Sequence, residues 1–315
     1  MAVPHVGDGL APASLAGIPT WHFPMLNDGE RNACYERAIR AAVRPGDLVL
    51  DIGAGSGLLA MIAASCGARQ VVSCEVVPQI ADVAREIVRA NGCDDVVTIV
   101  NKRSTDLVVG EDLPARADVV VTETVDFGLL GEGILPAMRH ARTCLAGPDA
   151  SIIPFGATLI GAPVESAALC GLNHVTTACG YDVSLFNEFA QPGYIEARLA
   201  EHVHRLIAEP RPLASFDFGS DPLTADVRTT EFTAETSGRC DGVVFWFELA
   251  LDTRTGLSNS PERHDSHWPQ SFFRFAEPLA VELGTRVAVA ASWSDHSIAF
   301  EPVAAPQRST AGDAT

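Results

Sequence analysis

Residues 48–64 read LVLDIGAGSGLLAMIAA. The opening LVLDI is short, apolar but for one aspartate, and bounded by glycine, which is the pattern of a strand buried on both faces. Gly53, Gly55 and Gly57 then space a turn, and LLAMIAASCGA predicts a helix ending at Gly67. Glycines let the chain turn sharply and approach a ligand closely, and the start of the helix offers free N–H groups.

Working outward, VVSCEVV (71–77) predicts a second strand, 78–91 a second helix and VVTIVN (96–101) a third strand. ADVVVTET (117–124) predicts a fourth strand and 133–145 another helix. Upstream, Tyr35, Ala38, Ile39 and Ala42 recur at helical steps within 30–43, and Pro45-Gly46 stops the pattern. Strands alternating with helices imply βαβ units around a parallel, Rossmann-like sheet.

After Pro154 the pattern changes. ATLIGAPVES, GVVFWFELALD, FFRFAEPLAVELG and RVAVAASWSD are apolar or alternating runs between turn residues, which predicts an antiparallel, β-barrel-like domain. Within it, about 172–208 interrupts the strands with GYDVSLFNEF and with IEARLAEHVHRL, which has helical spacing. We expect an inserted helical arm with apolar faces left over for a second copy, hence a homodimer. The expected layout is a loose tail at 1–20, a cofactor domain at 21–153, a β domain at 154–302 and a loose tail at 303–315.

Glu75 closes the second strand, where a carboxylate can accept hydrogen bonds from both ribose hydroxyls. A glycine turn alone can be only a tight turn; with Glu75 beside it, a nucleotide-like cofactor is expected. The spacing is GxGxG with Asp51 two residues ahead, which favours S-adenosylmethionine over a dinucleotide. In TETVDFGLLGE (122–132), Glu123 leaves a strand at its carboxyl end and Glu132 closes the loop, so both carboxylates can converge over the cofactor. Such a pair can act as acid and base, or clamp a planar guanidinium.

Composition narrows the partners. The 315 residues are 47% apolar and 20% charged, as in a folded protein, and the formal charge of −18 opposes binding to nucleic acid or an anionic membrane. Eight scattered cysteines show neither a disulfide framework nor metal spacing, so a reducing cytoplasm and no metal are expected. No stretch approaches a membrane span, and the first residues lack the pattern of a secretory signal.

MLNDGER, VLDIGAGSGLLAMIAA, CEVV, TETVDFGLLGEG and SHWPQSFF occur in the order found in protein arginine methyltransferases, and over about 20–300 the chain resembles that family. NKRST and the aspartate of VDFGLLGEG make it most similar to the monomethylating, type III branch. The resemblance implies a class I methyltransferase domain in which Met25 shapes the pocket, Arg31 holds the cofactor's carboxylate and Glu75 its ribose. It implies that Glu123 and Glu132 grip the guanidinium and that His267 pairs with Asp28 at the rim. Asp126 and Trp268 are expected on the substrate side, while His296 and Trp293 are read as structural.

Thr105 stands where many members carry a glutamate, so Ser104 or backbone is expected to face the adenine. The expected reaction moves one methyl to a guanidino nitrogen of free L-arginine or a small guanidino compound. The alternative acceptor is an arginine-rich protein segment.

Overall fold

A computed structural model describes residues 20–220 and 222–303 of the chain. The tails expected to be loose lie outside these residues, except Thr20 and Val303. Strands β1 (Leu48–Ile52), β2 (Gln70–Cys74), β3 (Val97–Val100), β4 (Ala117–Thr122) and β5 (Ala146–Ile153) form a parallel sheet in the order β3-β2-β1-β4-β5. Helices α1 (His22–Asn27) and α2 (Gly29–Ala42) precede it, and α3 (Leu58–Ser65), α4 (Pro78–Ala90) and α5 (Ile134–His140) lie between or after its strands.

All five residues of β1 are buried because it is the central strand, covered on both faces. Burying each of Leu48, Val49, Leu50 and Ile52 contributes about 1.5–3 kcal/mol. The chain leaves β1 towards β2 and β3, then returns to the other side as β4, and this reversal opens a crevice at the carboxyl ends of β1 and β4. Register sets what lines it. Ile52 pairs with both Cys74 and Thr122, so the next residues, Gly53, Glu75 and Glu123, step out of the sheet at one level.

Beyond Ile153 the pairing becomes antiparallel. Strands Gly156–Glu165, Gly238–Ala250 and Gln270–Val281 form the spine of one sheet, and Asp226–Thr233, Arg286–Trp293 and Ile298–Val303 make a second. The rings of Phe245 and Phe273 meet Phe300 across the gap at 4.9 and 5.7 Å. One apolar core runs through both halves of the chain.

The expected helix at 195–206 is overturned. Ile195–Ala197 is a strand paired with Gln270–Phe272, Leu199–Glu201 is a single 3-10 turn, and Arg205–Leu206 is a short strand on Glu165. Ile195, Ala197 and Leu199 are buried in alternation while Val203 is exposed, so a period of two prevails over the helical spacing. The preceding segment is likewise not α-helical: a two-residue hairpin, Thr177–Ala178 with Tyr181–Asp182, leads into the 3-10 stretch Ser184–Phe189.

Candidate active site

Asp28 organises the entry to the site. Its side chain caps α2 by accepting from the Arg31 N–H at 2.9 Å, which is the usual work of an aspartate at a helix start. Its other oxygen accepts from His267, from the backbone N–H at 3.1 Å and from Nδ1 at 2.8 Å. Burial alone would raise the Asp28 pKa; these hydrogen bonds outweigh it and hold it low. Burial pushes the His267 pKa down despite Asp28, which keeps the imidazole neutral at neutral pH.

One turn into α2, the buried Arg31 guanidinium forms an ion pair with Glu123. It lies 5.4 Å from the ring centre of Tyr35, on the same helix face, and the Tyr35 hydroxyl donates to the Thr122 carbonyl at 3.1 Å. Arg31 Nε is buried without a partner. It is a donor awaiting an acceptor.

Glu75 is fixed at both oxygens, accepting from Gly55 N–H at 3.1 Å and Val77 N–H at 2.9 Å. Each oxygen retains a lone pair for a ligand. Gly53 has φ +87°, and a Cβ there would lie 2.7 Å from Thr124 Cγ2, so a side chain would crowd the turn.

The loop between the two glutamates is clamped by the antiparallel half. The Trp268 indole donates to the Val125 carbonyl at 3.1 Å; Ser271 Oγ and Asn259 Nδ2 donate to Phe127 at 3.0 and 3.1 Å. Asp126 accepts from Tyr194 Oη at 2.7 Å and from Gly131 N–H at 2.9 Å. Asp126 and Trp268, expected on the substrate side, are thus spent on holding the loop. Neither lines the cleft.

That cleft, of roughly 390 Å³, is lined by Met25, Arg31, Gly53, Gly55, Glu75, Ser104, Thr105, Glu123 and Glu132. Asp28, His267, Asp51 and Gly57 are not on its wall: Asp28 and His267 bond each other at the start of α2, Asp51 is buried within β1, and Gly57 caps α3. Sequence reading missed Tyr35 and the clamp residues Tyr194, Asn259 and Ser271; for Tyr35 the signal was its four-residue step from Arg31. His296, read as structural, lines the cleft against Gly133, where a Cβ would come within 2.7 Å of its ring.

Glu132 has no hydrogen-bonding or ion-pair partner among the described residues. Its side chain is accessible, but to this walled cleft. Loss of hydration there, reinforced by Glu123, Asp126 and Glu75, pushes its pKa up to about 8. The donor left over on Arg31, the lone pairs on Glu75 and the side-chain-free turn at Gly53 suit a cofactor carrying a carboxylate and a ribose. The cleft can accept S-adenosylmethionine on those three features.

The arginine methyltransferase oligomerization subdomain matches residues 158–300, and the ribosomal protein L11 methyltransferase family matches 33–125. An arginine N(omega)-methyltransferase of Streptomyces achromogenes subsp. streptozoticus is 42% identical over 92% of this chain and 81% of its own length. Protein arginine N-methyltransferase 1.6 of Arabidopsis thaliana is 31% identical over 89% of the chain, which spans only 43% of that protein.

Among solved structures, the Trypanosoma brucei PRMT1 enzyme-prozyme heterotetrameric complex with AdoHcy superposes with TM-score 0.74 at 24% identity, covering 87% of each chain. Arabidopsis protein arginine methyltransferase 10 gives 0.69 at 23% identity, covering 86% of each. Both share the fold. With the two glutamates, Arg31 and Glu75 gathered on one cleft, the chain belongs to the S-adenosylmethionine-dependent arginine N-methyltransferases.

Proposed function

We propose that the acceptor is a free guanidino compound, L-arginine, and that it receives one methyl group. The observation that carries a guanidinium acceptor is the second carboxylate: Glu132 faces the cleft with no cation of its own among the described residues, beside a Glu123 that Arg31 already holds. A guanidinium entering between them would neutralise Glu132 and meet two carboxylates in the planar fork geometry it prefers.

When bound, S-adenosylmethionine supplies a methyl on a cationic sulfur. Glu123 and Glu132 draw positive charge to the nitrogens they hold, which leaves the target nitrogen richer in electrons and aligned for attack. Arg31 and Glu75 would hold the cofactor so that its methyl passes to the aligned nitrogen, the carbon–sulfur electron pair passing to sulfur. Glu132, a carboxylate once the guanidinium has displaced its proton, then takes the surplus proton and passes it to solvent. The loop clamped by Tyr194, Asn259, Ser271 and Trp268 has little freedom to widen, which supports a single transfer.

We divide the chain functionally at residues 153–154, with 21–153 holding the cofactor and 154–302 bracing the loop. We also propose a homodimer in a reducing cytoplasm. All eight cysteines are free, and the arm exposes Tyr181 (74%), Leu185 (75%), Phe186 (68%) and Phe189 (79%) within the matched oligomerization subdomain. A monomer by light scattering at micromolar concentration overturns the dimer. No helix among the described residues is long and apolar enough to cross a membrane.

Incubation with cofactor and either L-arginine or an Arg-Gly peptide, followed by mass spectrometry, tests the acceptor. Monomethylated free arginine is expected. Methylation of the peptide alone establishes the protein-substrate reading, and a dimethylated product overturns the single transfer.

A further inference from the structure

We propose that Tyr194 is a positioning residue for Glu132: acting through Asp126, its hydroxyl fixes the end of the loop from which that carboxylate meets the acceptor guanidinium. The role rests on Glu132 as a guanidinium ligand, whichever acceptor carries the guanidinium. Having no cation of its own among the described residues, Glu132 depends on its backbone for its place.

Two hydrogen bonds connect Tyr194 to that backbone. Tyr194 Oη donates to Asp126 Oδ2 at 2.7 Å, and Asp126 Oδ1 accepts from the N–H of Gly131, the residue before Glu132, at 2.9 Å. The glycines of the loop show how closely these groups lie on it. A Cβ at Gly131 would collide with the Asp126 carboxylate, and one at Gly128 with the Tyr194 ring. Neither glycine has a left-handed backbone, so what excludes a side chain at each is the space that Asp126 and Tyr194 occupy. Trp268, Asn259 and Ser271 hold the Val125 and Phe127 carbonyls, nearer Glu123; Tyr194 holds the part that leads into Glu132.

The loop needs such a hold. Leu129, fully buried within it, has φ +79°, a left-handed backbone that a leucine keeps only where its surroundings impose it. Tyr194 is itself firmly based. Its buried ring meets those of Phe127 and Phe245 edge-on at 5.6 and 5.4 Å, and Ile195, next in the chain, pairs with Phe272 in the sheet. Burial and the Asp126 charge raise the Tyr194 pKa well above its usual value, so the hydroxyl keeps the proton it donates. A rigid ring thus carries a permanent donor to the carboxylate that grips Gly131.

The test uses the full-length enzyme and Y194F, which removes the hydroxyl but keeps the packed ring. Calorimetry measures the affinity for S-adenosylhomocysteine and then, with that bound, for L-arginine, or for an Arg-Gly peptide where only the peptide is methylated. Y194F is expected to weaken acceptor binding roughly tenfold and to leave cofactor affinity within about twofold, since Arg31, Gly53 and Glu75 owe nothing to Tyr194. In turnover the acceptor KM should rise likewise while the KM for S-adenosylmethionine stays. Added to E132Q, Y194F is expected to cost nothing further, because the carboxylate it positions is already gone. G131A, whose Cβ displaces the Asp126 carboxylate, should reproduce the loss with Tyr194 intact.

A Y194F enzyme that binds the acceptor as tightly as wild type overturns the proposal. So does a loss of the same size in the E132Q background, or an equal loss for cofactor and acceptor, since either would mark a general loosening of the fold. An E132Q enzyme that binds the acceptor as wild type does overturns the reading of Glu132 itself, and the role of Tyr194 with it.

Discussion

The two ends of the catalytic cleft are built on opposite principles. At the end formed by α2, the charged groups already have partners: Asp28 accepts from the Arg31 backbone N–H and from the His267 ring, and the Arg31 guanidinium pairs with Glu123. At the end formed by the close of the loop, Glu132 has no cation among the described residues, and its neighbours along the wall are Gly133, Pro136 and His296. The first end is assembled before any ligand arrives. The second is completed only by one, and the energetic cost of holding Glu132 ready is visible as a pKa of about 8.

The largest expected effect separates the two glutamates. E123Q and E132Q should each reduce turnover by roughly 1,000-fold, since in the proposed reaction each removes a charge acting on the guanidinium. Their stabilities should part. E123Q leaves the buried Arg31 without its counter-charge and is expected to cost about 3 kcal/mol in urea unfolding. E132Q removes a carboxylate that has no partner and is crowded by like charges, so its unfolding midpoint should equal or exceed that of wild type. Equal destabilisation of the two variants would break the contrast between the ends.

A second effect follows from the sign of the Glu132 shift. Below about pH 8 its carboxyl is protonated in the empty cleft, whereas a bound guanidinium favours the carboxylate. Binding therefore expels a proton, and affinity for L-arginine should fall about tenfold for each pH unit below 8, levelling off above it. Calorimetry in buffers of different ionisation enthalpy reads the proton directly. E132Q should abolish both the proton release and the slope, while an unchanged slope in that variant would assign the titration elsewhere.

The same division governs what the sequence could reveal. The crevice was legible because β1 is buried on all sides and so is apolar apart from Asp51, while Glu75 and Glu123 follow strands whose register places them beside Gly53. The arm was not. Ile195 and Leu199 stand four apart as in a helix, yet Ile195 is made a strand residue by Phe272, a partner far along the chain, and Leu199 begins a 3-10 turn. Trp268 is expected on the substrate side, yet its indole N–H is claimed by the Val125 carbonyl. His296 carries no local sign at all; topology alone delivers a turn from the second sheet to Gly133. Long-range pairing, which no window of sequence displays, decides each of these cases.

Asp51 is the exception on the assembled side, and it gives the smallest and most exacting test. It is buried beneath the cleft with one oxygen accepting from Ser73 Oγ at 2.6 Å and the other without a partner. Burial pushes its pKa up to about 7, against the pull of the Ser73 bond. Between its unfolded value near 4 and this folded value, the native protein keeps a proton that the unfolded chain has lost. The stability it contributes is therefore complete at low pH and is lost as the pH rises through about 7. D51N cannot ionise, so its melting temperature should gain on that of wild type between pH 5 and pH 8, by at least about 1 kcal/mol or roughly 2–4 °C. A constant difference across that range would mean that Asp51 is ionised throughout, and that the floor of the assembled end is as fully satisfied as its wall.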